Sequence, residues 1–334
     1  ATSFQKVAVE SVISKTRKAV EENVFGIYDS TKYNDDSDEM PKMEQDNGLQ
    51  LADLTGKSYD DEDWDKLLDQ LSFEDMSTLI NVGGWQTAEI KSVGKVATSD
   101  CDGPAGLNNF ITKTYGTAYP SEVLIAQTWN KDLAKEVGDS MGQEYVDADN
   151  FGWYGPAMNI HRSAFAGRNF EYYSEDPYLA GEIAAAFING VQSQHVGTSI
   201  KHFAANNQEY HRMSNSSEAD ERTLREIYFP AFETAVKKAQ PYTFMCSYNQ
   251  INGTFASENK WLLTDVLRND WGFEGYVMSD WGAVNDRVKG LEAGLDLEMP
   301  GSNGTNDALI MEAVKNGTLK EEVLDQAVER ILNI

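Results

Sequence analysis

The chain of 334 residues is 41% hydrophobic, so it can bury a sizeable core, and it is too long for a typical single domain unless that domain is an α/β barrel with additions. Its 54 acidic residues outnumber its 28 basic residues, and the net charge of −26 makes nucleic acid and anionic membranes unsuitable partners. The sequence contains no run of about 18 apolar residues and no signal-peptide core, so it predicts a soluble protein outside the membrane, with the cytoplasm favoured over secretion.

Residues 1–48 are predicted to form an N-terminal extension that ends in an acidic linker. Residues 1–30 carry a weak helical pattern, whereas residues 34–48 have almost no aliphatic side chains. This composition is typical of a linker or a strap on the surface. We therefore expect the main folded domain to occupy residues 49–334.

Helical patterns begin near residue 59. One helical face carries the apolar residues Trp64, Leu67, Leu68 and Leu71. Ser72 and Asp75 match a capping box, in which each side chain accepts from the backbone of the other residue. The pair predicts the start of a second helical segment.

Strand-like apolar runs then alternate with amphipathic helical patterns. The strand-like runs are 96–99, 152–160, 198–201, 244–247 and 275–279. The helical patterns cover 133–141, 183–191, 224–236, 261–267 and 323–331. Repeated strand–helix units predict a parallel α/β barrel or an open sheet, and polar motifs that follow the strands mark the edge where functional groups gather.

The most informative segment is the run Tyr276–Met278, which is followed by Asp280 and Trp281. A carboxylate at the end of a buried strand can attack an anomeric carbon, and an adjacent indole offers an apolar face to a pyranose ring. The alternative is that Asp280 caps the next helix and that Trp281 belongs to the core. This segment alone does not separate the two interpretations.

Basic residues are concentrated after the strand-like run 198–201. Lys201, His202 and Arg212 form a potential array of donors for sugar hydroxyls and for developing charge. Arg168 could donate to a pair of hydroxyls or hold a carboxylate such as Glu171 in place. The alternative is a basic cluster that only neutralises acidic helices nearby.

Two further residues follow strand-like runs. Asp102 stands in an Asp-Gly-Pro turn, where it could accept bonds from two hydroxyls or form an ordinary Asx-turn; the turn is favoured on composition alone. Tyr248 could hydrogen-bond an attacking carboxylate, although a tyrosine in this context is more often part of the core.

The sequence predicts neither a metal site nor a cofactor. The four histidines lack HExxH spacing, and Cys101 and Cys246 have no CxxC partner, so both cysteines are expected to be small buried residues. Neither a P-loop nor a G-x-S-x-G elbow occurs, which argues against a nucleotide enzyme and against an α/β-hydrolase.

These segments, in their order along the chain, resemble glycoside hydrolase family 3, and within it the β-glucosidase branch. The motifs that carry the resemblance are 102–106, 167–177, 201–209, 247–249 and 277–282, and the similarity covers residues 58–334. It implies a (β/α)8 TIM-type barrel, irregular in some members. It also implies a retaining, exo-acting enzyme that releases β-D-glucose from the non-reducing ends of β-glucosides and cello-oligosaccharides.

The resemblance also implies roles for individual residues. Asp280 would be the nucleophile and should stay ionised, since neighbouring Arg and Lys residues would keep its pKa low. The residues expected around the sugar are Asp102, Arg168, Lys201, His202, Arg212 and Tyr248, with Trp281 packing nearby.

The general acid/base is the part of this mechanism that the sequence does not supply. In the β-glucosidase branch this Glu usually comes from a separate α/β sandwich domain, so we expect such a domain, or a second chain, as a partner. Two alternatives stay open: a catalytically incomplete barrel that binds sugar or acts as a scaffold, and an active enzyme with β-xylosidase specificity. Leu107 and Asn108 stand where many members have an Arg, which bears on specificity at that corner of the site.

Overall fold

A mixed sheet of six strands forms the centre of the chain in the computed structural model, which describes residues 42–110 and 112–334. All the described residues belong to one compact unit. The predicted N-terminal extension lies outside the described residues except for residues 42–48.

Eleven strands occur among the described residues. They are β1 (Gln86–Thr87), β2 (Thr98–Cys101), β3 (Asn108–Asn109), β4 (Thr114–Tyr115), β5 (Gly152–Trp153), β6 (Gly197–Phe203), β7 (Ser216–Ser217), β8 (Thr243–Cys246), β9 (Gln250–Ile251), β10 (Thr254–Phe255) and β11 (Tyr276–Met278). The main sheet has the order β1-β2-β5-β6-β8-β11, with β1 antiparallel to β2 and every other neighbouring pair parallel. The remaining strands form a hairpin, β3–β4, and a small sheet of order β10-β9-β7.

The segment 297–299 connects the two edges of the main sheet. The Leu297 carbonyl accepts a hydrogen bond from the Ser279 amide at 2.9 Å, just beyond β11. The Glu298 amide donates to the Ile80 carbonyl at 2.9 Å, and the Glu298 carbonyl accepts from the Gly83 amide at 3.1 Å, just before β1. Backbone hydrogen bonds therefore continue from one edge of the curled sheet to the other.

Ten α-helices surround the sheet in the described ranges. They are α1 (Asp63–Leu68), α2 (Phe73–Asn81), α3 (Glu122–Gln127), α4 (Lys131–Asp147), α5 (Pro177–Gln192), a short turn of helix α6 (Glu221–Thr223), α7 (Pro230–Ala239), α8 (Arg287–Ala293), α9 (Thr305–Lys315) and α10 (Glu321–Asn333). Two π-helical segments, Leu224–Tyr228 and Trp261–Asp270, complete the predicted helices at 224–236 and 261–267.

The prediction of a mixed α/β fold is confirmed. The strand-like runs at 198–201, 244–247 and 275–279 fall on β6, β8 and β11. The run predicted over 152–160 forms only the two residues of β5 as a continuous strand, because Pro156 has no amide hydrogen to donate and interrupts the ladder. Pairing with β6 resumes as an isolated bridge between Ala157 and Lys201, where the Met158 amide donates to the Lys201 carbonyl at 2.7 Å.

The capping box predicted at the start of α2 is present. The Asp75 amide donates to the Ser72 hydroxyl at 3.0 Å, and the Ser72 amide donates to the Asp75 carboxylate at 3.2 Å. The two side chains thus satisfy backbone donors that the first turn of a helix leaves without a partner.

Replacing Ser72 with Ala is expected to lower the free energy of unfolding by about 1 kcal/mol, because the Asp75 amide loses its acceptor. Urea denaturation followed by circular dichroism measures the change. Ser140→Ala is the matched control, since that hydroxyl donates to the Glu136 carbonyl one turn earlier in α4 and caps no helix. Equal stability of Ser72→Ala and the parent chain would show that the cap contributes nothing.

Two hydrophobic clusters enclose the sheet. The larger cluster packs β6 and β8 against α4, α5 and α7. Phe203 lies inside it, with ring centroids of Phe232 and Phe244 at 5.2 Å. The smaller cluster packs α1, α2, α9 and α10 around Tyr276 and Met278 of β11. Burial on both faces explains why these strands are almost continuously apolar in sequence.

Asp325 of α10 lies in an acidic cluster. The carboxylates that act on it are Glu321, Glu322, Asp65 and Asp69. Burial, reinforced by these like charges, raises the pKa of Asp325 to about 7. The folded state therefore holds this proton more tightly than the unfolded chain, in which an Asp titrates near 3.9.

Asp325→Asn is expected to stabilise the fold at neutral pH. It removes a carboxyl group whose ionised form is disfavoured in the folded protein by burial and by the neighbouring carboxylates. Stability from the protonated Asp325 is fully present below pH ~4 and is lost as the pH rises through about 7, so the advantage of the variant should grow over that window. Denaturation midpoints across the window test this, with exposed Glu136→Gln as the control. A constant offset between variant and parent at every pH would contradict it.

None of the helices in the described residues is both long enough and apolar enough to pass through a bilayer.

Candidate active site

The carboxyl ends of the parallel strands bring the predicted site residues together. Asp102 follows β2, Lys201 and His202 lie in β6, Tyr248 follows β8 and Asp280 follows β11. Parallel neighbours end at one edge of a sheet, so these side chains meet in a single cleft. Arg168 and Arg212 reach the same cleft from loops after β5 and β6, and Trp281 stands beside Asp280.

The Asp280 carboxylate is nearly buried, with 9% of the residue exposed. Its Oδ1 accepts from the Trp281 backbone amide at 2.6 Å. Its Oδ2 has no hydrogen-bond partner among the described residues and lies 3.6 Å from Nε2 of His202. One oxygen is therefore held in place while the other is free to contact a ligand.

Burial raises the pKa of Asp280, and Lys201, Arg168 and Arg212 oppose this shift without cancelling it. The expectation that these cations keep its pKa low is wrong in direction, because the cost of ionising a buried carboxyl group exceeds their attraction. The hydrogen bond from the Trp281 amide, followed by the three cations, is what favours the ionised form in this cleft.

His202 is a neutral neighbour of Asp280 and does not form an ion pair with it. Burial lowers the pKa of His202 far below its ordinary value, and Arg168 and Lys201 lower it further. The histidine is fixed by its surroundings: Asn159 bonds both backbone groups of His202, at 2.8 and 3.0 Å, and the Tyr172 hydroxyl lies 3.2 Å from Nδ1. Nε2 is left facing the cleft.

Lys201, which is buried, forms an ion pair across the cleft with Asp102, which is partly exposed. Nζ of Lys201 lies 2.7 Å from Oδ1 of Asp102. Although burial acts against it, Asp102 raises the pKa of Lys201, and Lys201 in turn lowers the pKa of Asp102. Asp102 also accepts from the Gly103 amide at 2.8 Å, as a turn residue would. Its side chain keeps 42% exposure, so it can serve the turn and still accept from a ligand.

Two arginines are held by carboxylates at the side of the cleft. Arg168 donates through Nε to Glu171, as anticipated for that glutamate. Arg212 donates to Glu209 at 3.0 Å and stacks over the Tyr248 ring at 4.5 Å. These contacts fix both guanidinium groups and leave further N–H groups for a ligand.

Tyr248 contacts the backbone of the loop that carries Asp280. Its hydroxyl donates to the Trp281 carbonyl at 2.7 Å, so the predicted bond to the carboxylate is replaced by one to the next residue. Burial raises the pKa of Tyr248, and the Asp280 charge adds to the effect. The phenol therefore stays protonated and fixes the peptide that carries Asp280.

Trp281 is 44% exposed and forms part of an aromatic rim. Its ring centroid lies 6.0 Å from that of Trp85, and Trp85 meets Phe110 edge-on at 5.2 Å. The alternative in which Trp281 belongs to the core is wrong, because its indole faces the opening of the cleft.

Several supporting residues were not predicted from the sequence. Asn206 donates to the Tyr172 hydroxyl and to Glu209, at 3.0 Å each. It thus links the tyrosine that contacts His202 to the glutamate that holds Arg212. Asn159 is the second such residue. Asn206 and Glu209 belong to the motif 201–209, and the position of that motif after a strand was the available signal. Nothing near Asn159 in the sequence marked it.

The described residues contain no group of three or more His, Cys, Asp or Glu side chains arranged to hold a metal ion. Cys101 and Cys246 are buried and unpaired, as predicted. The cleft therefore combines a carboxylate oxygen that has no hydrogen-bond partner among the described residues, a fixed set of cations and hydroxyls, and an aromatic rim. This is the chemistry of a site for a neutral, polyhydroxylated ligand on an α/β sheet.

Comparison with known proteins identifies the family. The family model described as "Glycosyl hydrolase family 3 N terminal domain" matches residues 91–334. The chain belongs to this family, and the resemblance seen in the sequence is confirmed.

Several similar proteins are known. Thermostable beta-glucosidase B of Acetivibrio thermocellus is 50% identical over 283 residues, which cover 80% of this chain and 37% of that protein. An exo-alpha-(1->6)-L-arabinopyranosidase of Bifidobacterium breve is 45% identical over 275 residues, covering 79% and 36%. Beta-glucosidase 3B of Thermotoga neapolitana, solved in complex with alpha-D-glucose, is 44% identical, with a TM-score of 0.77 over 82% of this chain and 42% of that one. The chain thus spans less than half the length of these relatives.

Proposed function

We propose that this chain is the barrel domain of a retaining, exo-acting β-glycosidase that releases β-D-glucose from non-reducing ends of β-glucosides and cello-oligosaccharides. The observation that carries the proposal is Asp280, whose Oδ2 has no hydrogen-bond partner among the described residues and lies in a cleft lined by three cations. The glucose complex of the Thermotoga neapolitana relative supports a glucose-shaped site.

The reaction takes place in two displacements. Asp280 attacks the anomeric carbon, the bond from that carbon to the leaving oxygen breaks, and an acid gives the leaving oxygen a proton. Water then attacks the same carbon, the bond to Asp280 breaks, and the water proton passes to the group that acted as the acid. Configuration is retained because each displacement inverts it once.

The sugar-binding residues act on hydroxyls and on charge. Asp102 accepts from hydroxyls, while Lys201, Arg168 and neutral His202 donate to them. Arg212 and the protonated Tyr248 hold the walls of the site, and Trp281 packs against the sugar or the leaving group. These donors already have their positions before the reaction begins. In the second step they stabilise the negative charge that returns to Asp280 when its bond to the anomeric carbon breaks.

We further propose that the acid/base carboxyl group belongs to an α/β domain or chain outside residues 1–334. Retaining enzymes place it about 5–5.5 Å from the nucleophile. The cleft carboxylates Asp102, Glu171 and Glu209 are each already paired with a cation of the cleft. The relatives are longer than this chain and can therefore contain such a domain.

The proposed domain organisation has residues 1–48 as a connection and residues 49–334 as the catalytic barrel. We propose that this barrel is an irregular form of the (β/α)8 fold. Its support is the continuous backbone hydrogen bonding across segment 297–299, combined with the antiparallel β1.

The proposal is tested by intact-mass spectrometry after incubation with an activated 2-deoxy-2-fluoro aryl β-glucoside. Such a leaving group needs little help from an acid, so residues 1–334 alone can form the intermediate. A gain of one fluoroglucosyl unit that maps to the peptide containing Asp280 is expected. An adduct only after the missing domain is added would mean that the domain completes the site. No adduct in either case would leave a sugar-binding or scaffolding barrel.

A pentopyranosidase is the second candidate, because the Bifidobacterium breve relative is named for an arabinopyranoside. A xyloside or an α-L-arabinopyranoside lacks the hydroxymethyl group of glucose, and Asn108 stands at the corner where many family members have an Arg. Comparing kcat/KM for aryl β-glucoside, β-xyloside and α-L-arabinopyranoside decides between them. A preference for either pentoside would replace the glucosidase assignment.

A further inference from the structure

A second pocket, of about 390 Å³, lies at the opposite end of the main sheet from the cleft that holds Asp280. Its lining includes the first residue of five parallel strands, which places it at their amino-terminal ends: Thr98, Gly152, Gly197, Thr243 and Tyr276. Its rim is exposed at Val96 and Phe151. Catalytic groups of α/β barrels gather at the carboxyl ends, so the proposed glycosidase reaction does not use this pocket.

The floor of the pocket lies one layer of side chains below the catalytic cleft. Asp100 and Ser199 line the pocket, and Asp102 and Lys201 follow them by two positions. Alternate residues of a strand point to the same face. The pocket and the cleft are therefore successive layers of the same sheet interior, one open at each end.

The floor contains polar groups whose bonding capacity the fold does not use. The Ser199 hydroxyl is buried, with 2% of the residue exposed, and has no hydrogen-bond partner among the described residues. The Asp100 carboxylate accepts one long hydrogen bond there, from the Tyr154 hydroxyl at 3.3 Å. A Cβ on Gly152 would lie 2.5 Å from Oδ1 of Asp100, so the glycine keeps space open beside that oxygen.

The charges in the pocket call for a neutral ligand. The Lys95 ammonium donates to the Thr87 hydroxyl and to the Ala88 and Val96 carbonyls at 2.8–2.9 Å, so all three of its hydrogens are used. Burial lowers the pKa of Lys95 to about 8 and raises the pKa of Asp100 to about 6, and each charge partly offsets the shift of the other. An ionic ligand would add an unpaired charge to a site where one cation already faces one anion.

The walls favour a ligand with apolar faces as well as hydroxyls. Tyr154 and Tyr276 line the pocket with aromatic side chains. Its volume falls in the range of small-molecule sites, roughly 300–1,000 Å³. We propose that this pocket is a binding site for a neutral polyhydroxylated molecule of about monosaccharide size, with Asp100 and Ser199 as its polar partners.

The test uses D-glucose, glycerol and cellobiose as probes against the chain of residues 1–334. Isothermal titration measures binding in solution, and crystals soaked in each probe locate it. Val96→Trp closes the exposed rim, and Ser199→Leu fills the floor. Val146→Trp is the matched control, because Val146 is also an exposed valine but lies on α4, outside the pocket. Lys201→Met disables the catalytic cleft, so the two sites are tested separately.

The expected result is a binding event that each pocket variant weakens at least ~10-fold, equivalent to 1.4 kcal/mol, and that Val146→Trp and Lys201→Met leave unchanged. The crystals should place the probe beside Asp100 and Ser199. If Ser199→Leu fails to fold, Val96→Trp alone decides. Ordered water in the pocket with all three probes, binding at crystal concentration only, or binding that Lys201→Met abolishes would each overturn the proposal. Failure of the proposed glycosidase activity would alter none of these readouts.

Discussion

Replacing Asp280 with Asn is expected to lower the rate of aryl β-glucoside cleavage by roughly 10⁴-fold or more, because an amide cannot form the covalent intermediate that divides the reaction into two steps. The substrate should carry an activated leaving group such as 2,4-dinitrophenolate, so that the rate reports the attack and not the acid. Since Asn has nearly the size of Asp and keeps the acceptor for the Trp281 amide, the cleft should retain its shape. Binding of glucose should therefore persist while turnover is lost.

Two comparisons make this result specific. Asp132→Asn changes an exposed carboxylate at the start of α4 and should leave the rate unaltered. Asp280→Gly opens a space that a small anion can enter, so added azide should restore cleavage and give a glycosyl azide of inverted configuration. Unchanged turnover in Asp280→Asn, or an azide product of retained configuration in Asp280→Gly, would remove Asp280 from the role of nucleophile.

The second large effect is expected in stability. Arg287 of α8 is 1% exposed, and its guanidinium donates to the Asn81 side chain and to the carbonyls of Ile80, Leu295 and Asp296 at 2.8–3.2 Å. Arg287→Met should lower the free energy of unfolding by about 3–5 kcal/mol, because these acceptors are left buried without a donor. Urea unfolding gives the value from the shift in midpoint at constant slope.

Arg222→Met is the control for this change. Arg222 pairs with Glu226 on the surface, where an isolated pair contributes within ~0.5 kcal/mol. Arg287→Lys should give an intermediate loss, since an ammonium has three donors and no planar fork. Stability of Arg287→Met within the error of the control would show that the buried acceptors find water instead.

The sequence was most informative for features that depend only on residues close together in the chain. Strands buried on both faces appear as apolar runs, which is why β6, β8 and β11 could be located together with Lys201 and Asp280 at their ends. The capping box at Ser72 is similarly local. The rim aromatic Trp281 could be named for the same reason, since it stands directly beside Asp280.

The features that sequence reasoning missed depend on residues far apart in the chain. Asn159 supports His202 across 43 positions, and its own surroundings contain no motif. The direction of the pKa shift of Asp280 was also missed, because charges can be counted in a sequence whereas the depth of burial cannot. The pocket floor at Asp100 and Ser199 likewise exists only once β2 and β6 lie in one sheet.

The hydrogen bonds between Glu298 and residues 80–83 have a consequence for synthesis of the protein. They join backbone groups that more than two hundred positions separate, so the main sheet can close only after the ribosome has made segment 297–299. Until then the edges at β1 and β11 remain available to other strands. Nascent chains arrested before residue 297 should therefore be held by chaperones or aggregate, whereas chains that extend past this segment should resist a protease.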